Sequence, residues 1–206
     1  MTSSPNTKDL IISSAIRVLL THGTEGLSMR KVAGEANMSL GNLQYHFRDK
    51  AALMEGLGEH YFGECARMLD GYRHSPADGS AELQLYRFIT YLLDHVDHSD
   101  QVSEMCRVFR EMWALSARDA EIQQQLVAYY RTIVSKLSAL CVQVCSSKAS
   151  ADQLASLLLP YIEGYSITHG ALPLRKPDVT SMLVKLCKPY LKGAGNLRRP
   201  AGQKGT

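Results

Sequence analysis

The stretch NMSLGNLQYHFRDK, residues 37–50, decides how this chain is read. Asn tolerates the left-handed conformation that closes a helix, so Asn37 can turn the chain sharply before Ser39 caps a new one. In the short helix that follows, LGNLQYHF, steps of about 100° per residue set Leu43 and Phe47 on one side as core anchors. Gly41, Gln44 and Tyr45 span the opposite flank, with Leu40 at the boundary.

Working outward, Ser28 caps a preceding helix, MRKVAGEA, which stops near Asn37. Before that, Thr7 is expected to cap a helix over residues 8–22, with Leu10, Ile11, Ala15, Val18 and Leu19 as its apolar stripe and Gly23 and Gly26 bracketing its exit. On the other side, Asp49 can cap a long helix, KAALMEGLGEHYFGECARMLDGY, reaching about His74. Two short helices joined by a tight turn make a helix-turn-helix, whose second helix enters the major groove while the first crosses the backbone. Ala33, Asn37, Met38 and Ser39 fall where that geometry wants a small residue, a turn former, an apolar anchor and a cap.

The remainder also reads as helix, with an apolar period near 3.6 and no sustained alternation of period two. Helices are expected over residues 81–98, 101–117, 120–146, 151–170 and 179–192, separated by the polar segments HSD, SARD, SSKAS and LPLRKPD. The fold expected is all-α with about nine helices, an N-terminal three-helix helix-turn-helix domain and a C-terminal helical bundle. Pro160, inside one of these helices, removes a backbone hydrogen bond, frees the Ser156 carbonyl and is expected to kink it. The tail GAGNLRRPAGQKGT, poor in apolar residues, is expected to be a disordered basic end. The domains drawn from this reading are 1–54, the helix-turn-helix domain, 55–192, the larger helical part, and the tail 193–206.

Composition sets outer bounds. The chain has 206 residues, 45% hydrophobic and 21% charged, with a formal net charge of +3. That is globular, and too weakly basic for charge alone to announce a nucleic-acid partner. MTSSPNTKDL lacks a basic segment followed by an apolar run, and nowhere is there the roughly 20-residue apolar stretch that spans a bilayer, so a cytoplasmic, non-membrane protein is expected. The odd number of cysteines, Cys65, Cys106, Cys141, Cys145 and Cys187, suits free thiols better than a disulfide framework. Cys141 and Cys145 lack a matching second ligand pair, and DHVDHSD, with His95 and His98 among aspartates, reads as an exposed helix end; no metal and no cofactor are expected. There is no GxSxG, P-loop or GxGxxG arrangement, so an enzyme is not expected.

The chemistry of the reader follows from donor types. Tyr45, His46, Asn42 and Lys50 can donate to phosphate oxygens, which fixes register without reading sequence. Ser28 offers its hydroxyl and a helix N-terminus to a phosphate. Gln44 can pair bidentately with adenine, and Leu40 and Gly41 offer apolar contact or close approach to a thymine methyl.

The pattern S-x-G-x-L-x-Y-H-F-x-x-K-x-x-L, on Ser39, Gly41, Leu43, Tyr45, His46, Phe47, Lys50 and Leu53, resembles the DNA-binding signature of the tetracycline-repressor (TetR) family of bacterial regulators. The likeness is close over about the first 55 residues and extends onward only in helix number and order. Gln44 stands where the family commonly carries Tyr, and Asn37 where it commonly carries Gly, so operator preference does not transfer. The resemblance implies Arg30 as a further base reader, a double-stranded DNA operator, dimerisation through the last two long helices, and a pocket for a small-molecule effector of unknown identity. Met105, Phe109, Met112, Trp113, Tyr130, Tyr161 and Tyr165 supply apolar and aromatic lining of the kind such a pocket needs, although the same stripe is also ordinary core. EMWALSARD, residues 111–119, and IEGYSITHG are similar to the ligand-binding half of the choline-responsive, BetI-like repressors of betaine pathways, which implies a cationic ligand held by Trp113 and nearby tyrosines; an apolar acid, an acyl chain or a drug fits the same lining, and the sequence does not choose among them.

These readings converge on a homodimeric, ligand-released transcriptional repressor. Its rivals are an activator or effector-blind regulator on the same DNA reader and, in another class, a helical ligand carrier or enzyme with a vestigial reader.

Overall fold

The computed structural model describes residues 6–75, 79–97 and 100–193, with 97 and 100–105 described by backbone only. The expected tail and His98 lie outside the described residues. Among the described residues there are nine α-helices and no strand: α1 Thr7–Gly26, α2 Met29–Glu35, α3 Leu40–His46, α4 Lys50–Gly71, α5 Ala81–Asp97, α6 Asp100–Ser116, α7 Ala120–Cys141, α8 Lys148–Thr168 and α9 Lys176–Cys187. Short 3₁₀ turns follow α8 at His169–Ala171 and α9 at Lys188–Tyr190. No helix among the described residues is long and apolar enough to cross a membrane.

The chain divides into two compact units, Met1–Gly71 with Asp97–Ile133, and Tyr72–Val96 with Val134–Thr206. In the first, α1 packs against α2, α4 and α6. Its buried apolar positions are Ile11, Ile12, Ala15, Ile16, Val18 and Leu19, whereas Leu10, expected on that stripe, is 38% exposed. The N-cap is Asn6 rather than Thr7, its carboxamide oxygen accepting from the Lys8 N–H at 3.3 Å. Ser28 and Ser39 cap α2 and α3 as their sequences imply, accepting from Lys31 and Asn42 at 3.3 and 3.2 Å. Asp49 caps α4, and the Ala52 N–H on its carboxylate at 2.9 Å holds that carboxyl below its usual range.

The second unit packs Leu85, Phe88, Ile89 and Leu93 of α5 with Leu137 and Cys141 of α7, Leu154, Ala155 and Leu158 of α8, and Leu183 and Cys187 of α9 as its buried residues. α7 ends five residues earlier than its apolar pattern suggests. Cys145 instead forms an antiparallel bridge with Leu191, and the Lys192 N–H donates to the Val144 carbonyl at 2.9 Å, so a backbone partner from the far end of the sequence replaces the next helical turn. α8 runs through Pro160. Asp94 pairs with Lys176 at 2.7 Å, and the His95 Nδ1–H donates to the Tyr91 carbonyl at 2.7 Å. Among the described residues, no cluster of three or more His, Cys, Asp or Glu side chains is placed to hold a metal ion.

The five cysteines are free thiols. Burial pushes Cys145 and Cys187 up to about 11 and Cys141 higher still, which makes them poor nucleophiles. His74 is buried with its Nε2 on the Leu140 carbonyl at 3.1 Å. A carbonyl only accepts, so Nε2 carries the proton, and Nδ1 is left buried without a hydrogen-bond partner. Burial accordingly holds this imidazole below its usual range.

Candidate nucleic-acid interface

The turn between α2 and α3 is made by Asn37, the one described non-glycine residue at positive φ, 53°. Its short polar side chain tolerates that conformation, and the Met38 N–H closes the turn onto the Ala33 carbonyl at 2.9 Å. Ala33 is 3% exposed, as the close crossing of two short helices requires. Leu43, fully buried, and Phe47, 8% exposed, fasten α3 from beneath.

What anchors α3 on one side leaves the other in solvent. Gly41, Asn42, Gln44 and Tyr45 are exposed, Tyr45 at 85%, while Leu40 and His46 are half-buried. Tyr45 and His46 meet edge to face at 5.2 Å. A Cβ built at Gly41 meets nothing within 4 Å, so no packing inside the chain calls for glycine there. Ser28 and Arg30 are exposed at the start of α2, and the Ser28 hydroxyl, accepting through its oxygen, keeps its own proton for a further acceptor. Lys50 lies at the start of α4 with its ammonium on the Thr24 carbonyl at 2.8 Å. The nine residues expected to contact DNA thus all lie on α2, α3, their caps or the first turn of α4.

Several positioning contacts were not legible in the sequence. Arg17 of α1 pairs with Glu35 of α2 at 2.6 Å, fixing the first helix of the reader to its support. Thr24 is held from α6 by Glu111 at 3.2 Å, a contact across 87 residues with no local pattern to announce it. Gly56 of α4 lies so close to the Phe47 ring that a built Cβ would stand 2.6 Å from it. Two residues further, on the opposite face, a Cβ at Gly58 would come within 3.0 Å of Met112 of α6 and 3.4 Å of Gln125 of α7. The two glycines therefore bring α4 against the reader on one face and against the larger helices on the other.

The aromatic residues expected to line a pocket fall into two sets. In the first unit Phe109 and Met112 are buried, and Phe62, absent from the sequence reading, stacks on Tyr129 at 4.2 Å beside Phe109. Trp113 is 55% exposed, its indole N–H donating to the Tyr130 hydroxyl at 2.7 Å. Tyr161 and Tyr165 belong to the second unit, their ring centroids 6.3 Å apart. The Met105 side chain lies outside the described residues.

Residues 11–57 match the family described as bacterial regulatory proteins, tetR family. Over 182 residues, 88% of this chain and 89% of the relative, the sequence is 35% identical to an HTH-type transcriptional regulator in the dhlA 5′ region of Xanthobacter autotrophicus. A nicotine-responsive transcriptional repressor, HdnoR of Paenarthrobacter nicotinovorans, is 23% identical over 198 residues, 94% of this chain and 98% of its own. Among solved structures, Salmonella enterica GusR superposes with a TM-score of 0.71 at 19% identity, over 93% of this chain and 98% of that one. The multidrug binding protein EbrR in complex with imidazole gives 0.65 at 20% identity, over 89% and 96%.

Proposed function

Because the chain belongs to the TetR family of bacterial regulatory proteins, and is thus a helix-turn-helix DNA-binding transcriptional regulator rather than an enzyme, we propose that it acts in the cytoplasm as a homodimeric repressor released from its operator by a small molecule. The observation that carries the reading is the 85% exposure of Tyr45 on a helix capped by Ser39 and anchored by Leu43 and Phe47. An aromatic side chain left in solvent adds little to the core, and with Asn42 and Gln44 on the same short helix and Lys50 at the start of the next it suits a nucleic-acid backbone.

In this proposal residues 1–54 read DNA and 55–192 bind effector and dimerise through α8 and α9, whose Leu157, Ile167 and Leu186 are 42%, 62% and 60% exposed. Two copies of α3 then meet a palindromic operator at a spacing of roughly 34–36 Å or a multiple of it. Tyr45, His46, Asn42, Lys50 and Ser28 hold phosphates, and Gln44, Leu40, Gly41 and Arg30 meet bases. The effector is an aromatic or quaternary amine, held in the first unit by cation–π attraction to Trp113 and Tyr130, with Phe109 and Met112 as further apolar contacts. The nicotine-responsive relative and the likeness of residues 111–119 to choline-responsive repressors support this class. Ligand tilts α4, and since Gly56 and Gly58 seat it against Phe47 on one side and Met112 on the other, the readers lose their register with a coupling of ~1–3 kcal/mol.

Selection of bound duplexes from a random pool, followed by release with choline, aromatic amines and fatty acids, tests the proposal, with Trp113 fluorescence reporting binding. Release of a palindromic duplex by an amine is the expected result. A footprint unchanged by every compound that perturbs Trp113 overturns it.

A further inference from the structure

α1 is broken near its end. At Gly23 φ is 65° and ψ −179°, an arrangement open to glycine and strained for other residues. In an unbroken helix the Thr24 N–H would donate to the Leu20 carbonyl four residues back. Here the break parts the two groups, and α6 supplies a partner for each. Glu111 Oε2 accepts from the Thr24 N–H at 3.2 Å, and Arg107 Nη2 donates to the Leu20 carbonyl at 2.9 Å. Arg107 and Glu111 are four residues apart and so lie on one face of α6. Together they restore the donor and the acceptor that the missing turn has lost.

The same residue, Thr24, then acts on the other side. Its carbonyl accepts from Lys50 Nζ at 2.8 Å, joining the broken end of α1 to the first turn of α4. A lysine ammonium has three donors. One rests on Thr24, which leaves two for phosphate oxygens and restrains a side chain that otherwise loses its rotamer freedom on binding.

We propose that Glu111 and Arg107 are positioning residues for DNA binding: they hold the broken end of α1 so that the Thr24 carbonyl pre-orders Lys50 for a phosphate. The inference rests on the reading of α2 and α3 as the DNA reader. It adds to that reading two residues on a helix outside the reader, neither of which meets DNA in the arrangement proposed.

The test uses full-length protein and a duplex it selects from a random pool, with affinity measured over a range of salt. Lys50→Ala is expected to weaken binding and to reduce the magnitude of the salt slope by about 0.9, the loss of one phosphate. Glu111→Ala is expected to weaken binding roughly three- to tenfold through the lost ordering of one long side chain, and to have no further effect in the Lys50→Ala background. Glu111→Gln, whose amide oxygen still accepts from Thr24, is expected to bind more tightly than Glu111→Ala, because a neutral acceptor keeps the hydrogen bond. Glu111→Asp, which keeps the charge but withdraws it by one methylene, repeats the comparison where the alanine variant is too unstable to use. Equal weakening by Glu111→Ala with and without Lys50, or a full effect of Lys50→Ala beside none from Glu111→Ala and Glu111→Asp, overturns the proposal. Failure to select any duplex, with the chain folded, overturns the DNA-reading assignment itself.

Discussion

Replacing Gly56 by alanine tests the seating of the recognition helix on α4. The added Cβ would lie 2.6 Å from Phe47 Cε1, 3.2 Å from its Cζ and 3.3 Å from Ile12 Cδ1. Carbon atoms pack at roughly 3.5–4.0 Å, so the ring must retreat by about 1 Å. Phe47 is 8% exposed and forms the C-cap of α3, which leaves the ring little free space and ties its position to that of the helix. Overpacking of this kind costs ~1–3 kcal/mol, against which the better helix propensity of alanine returns up to ~1 kcal/mol. The expected balance is a loss of stability of up to ~3 kcal/mol. The larger effect falls on DNA: a shifted α3 misplaces Gln44, and loss of one bidentate base contact removes ~1–3 kcal/mol, roughly 5- to 150-fold in affinity. Thermal unfolding and fluorescence anisotropy with a selected duplex measure the two effects. Gly63→Ala is the control, since its Cβ meets only the far end of the long Arg67 side chain, at 3.2 Å, and should stabilise α4. Adding Phe47→Leu to Gly56→Ala should recover part of the stability by clearing the ring. A Gly56→Ala protein as stable as the Gly63→Ala control, with unaltered operator affinity, refutes the seating.

Gly41→Ala should raise the melting temperature, because nothing stands within 4 Å of the new methyl and alanine is favoured by up to ~1 kcal/mol in a helix; the same change should weaken operator binding, and a variant gaining on both counts refutes a close approach of Gly41 to DNA. Gln44→Ala should relax preference at one base pair by ~1–3 kcal/mol in a duplex panel, whereas Tyr45→Phe should weaken all sequences alike. His74 has a folded pKa below its unfolded value, so the neutral ring's contribution is fully present above about pH 6.5 and is lost as pH falls through the folded value; His74→Gln, which keeps a donor for Leu140, should flatten the denaturation midpoint between about pH 7.5 and 5, and an unaltered slope refutes this assignment. In native protein a thiol reagent should modify Cys65 and Cys106 first, with buried Cys141, Cys145 and Cys187 reacting only after denaturant is added; five thiols reacting at one rate in the folded protein would contradict that burial.

The reader was legible from sequence because its information is local. Each helix end is set by a residue within four positions of it: Ser28, Ser39 and Asp49 cap their own helices, Asn37 takes its own turn, and the 3.6-residue period alone separates buried Leu43 and Phe47 from exposed Gln44 and Tyr45. Such interactions need no knowledge of the rest of the chain. The periodicity misled at two places, and at the second a distant partner had intervened. Leu10 shares the apolar period of α1 but is 38% exposed, and the apolar run beyond Cys141 leaves the helix to bridge Leu191.

Sequence by itself therefore determined the helical class, the helix-turn-helix and the residues it turns to solvent, since capping, turn chemistry and periodicity act within a few residues. Tertiary structure alone decided that Gly56 and Gly58 are close-packing positions, that Trp113 bonds Tyr130 while standing 55% exposed, and that Glu111 and Arg107 complete the broken end of α1 behind Lys50. Those contacts join residues up to 87 positions apart, and which of many apolar or charged side chains meets which is set by how whole helices pack, not by any neighbour along the chain.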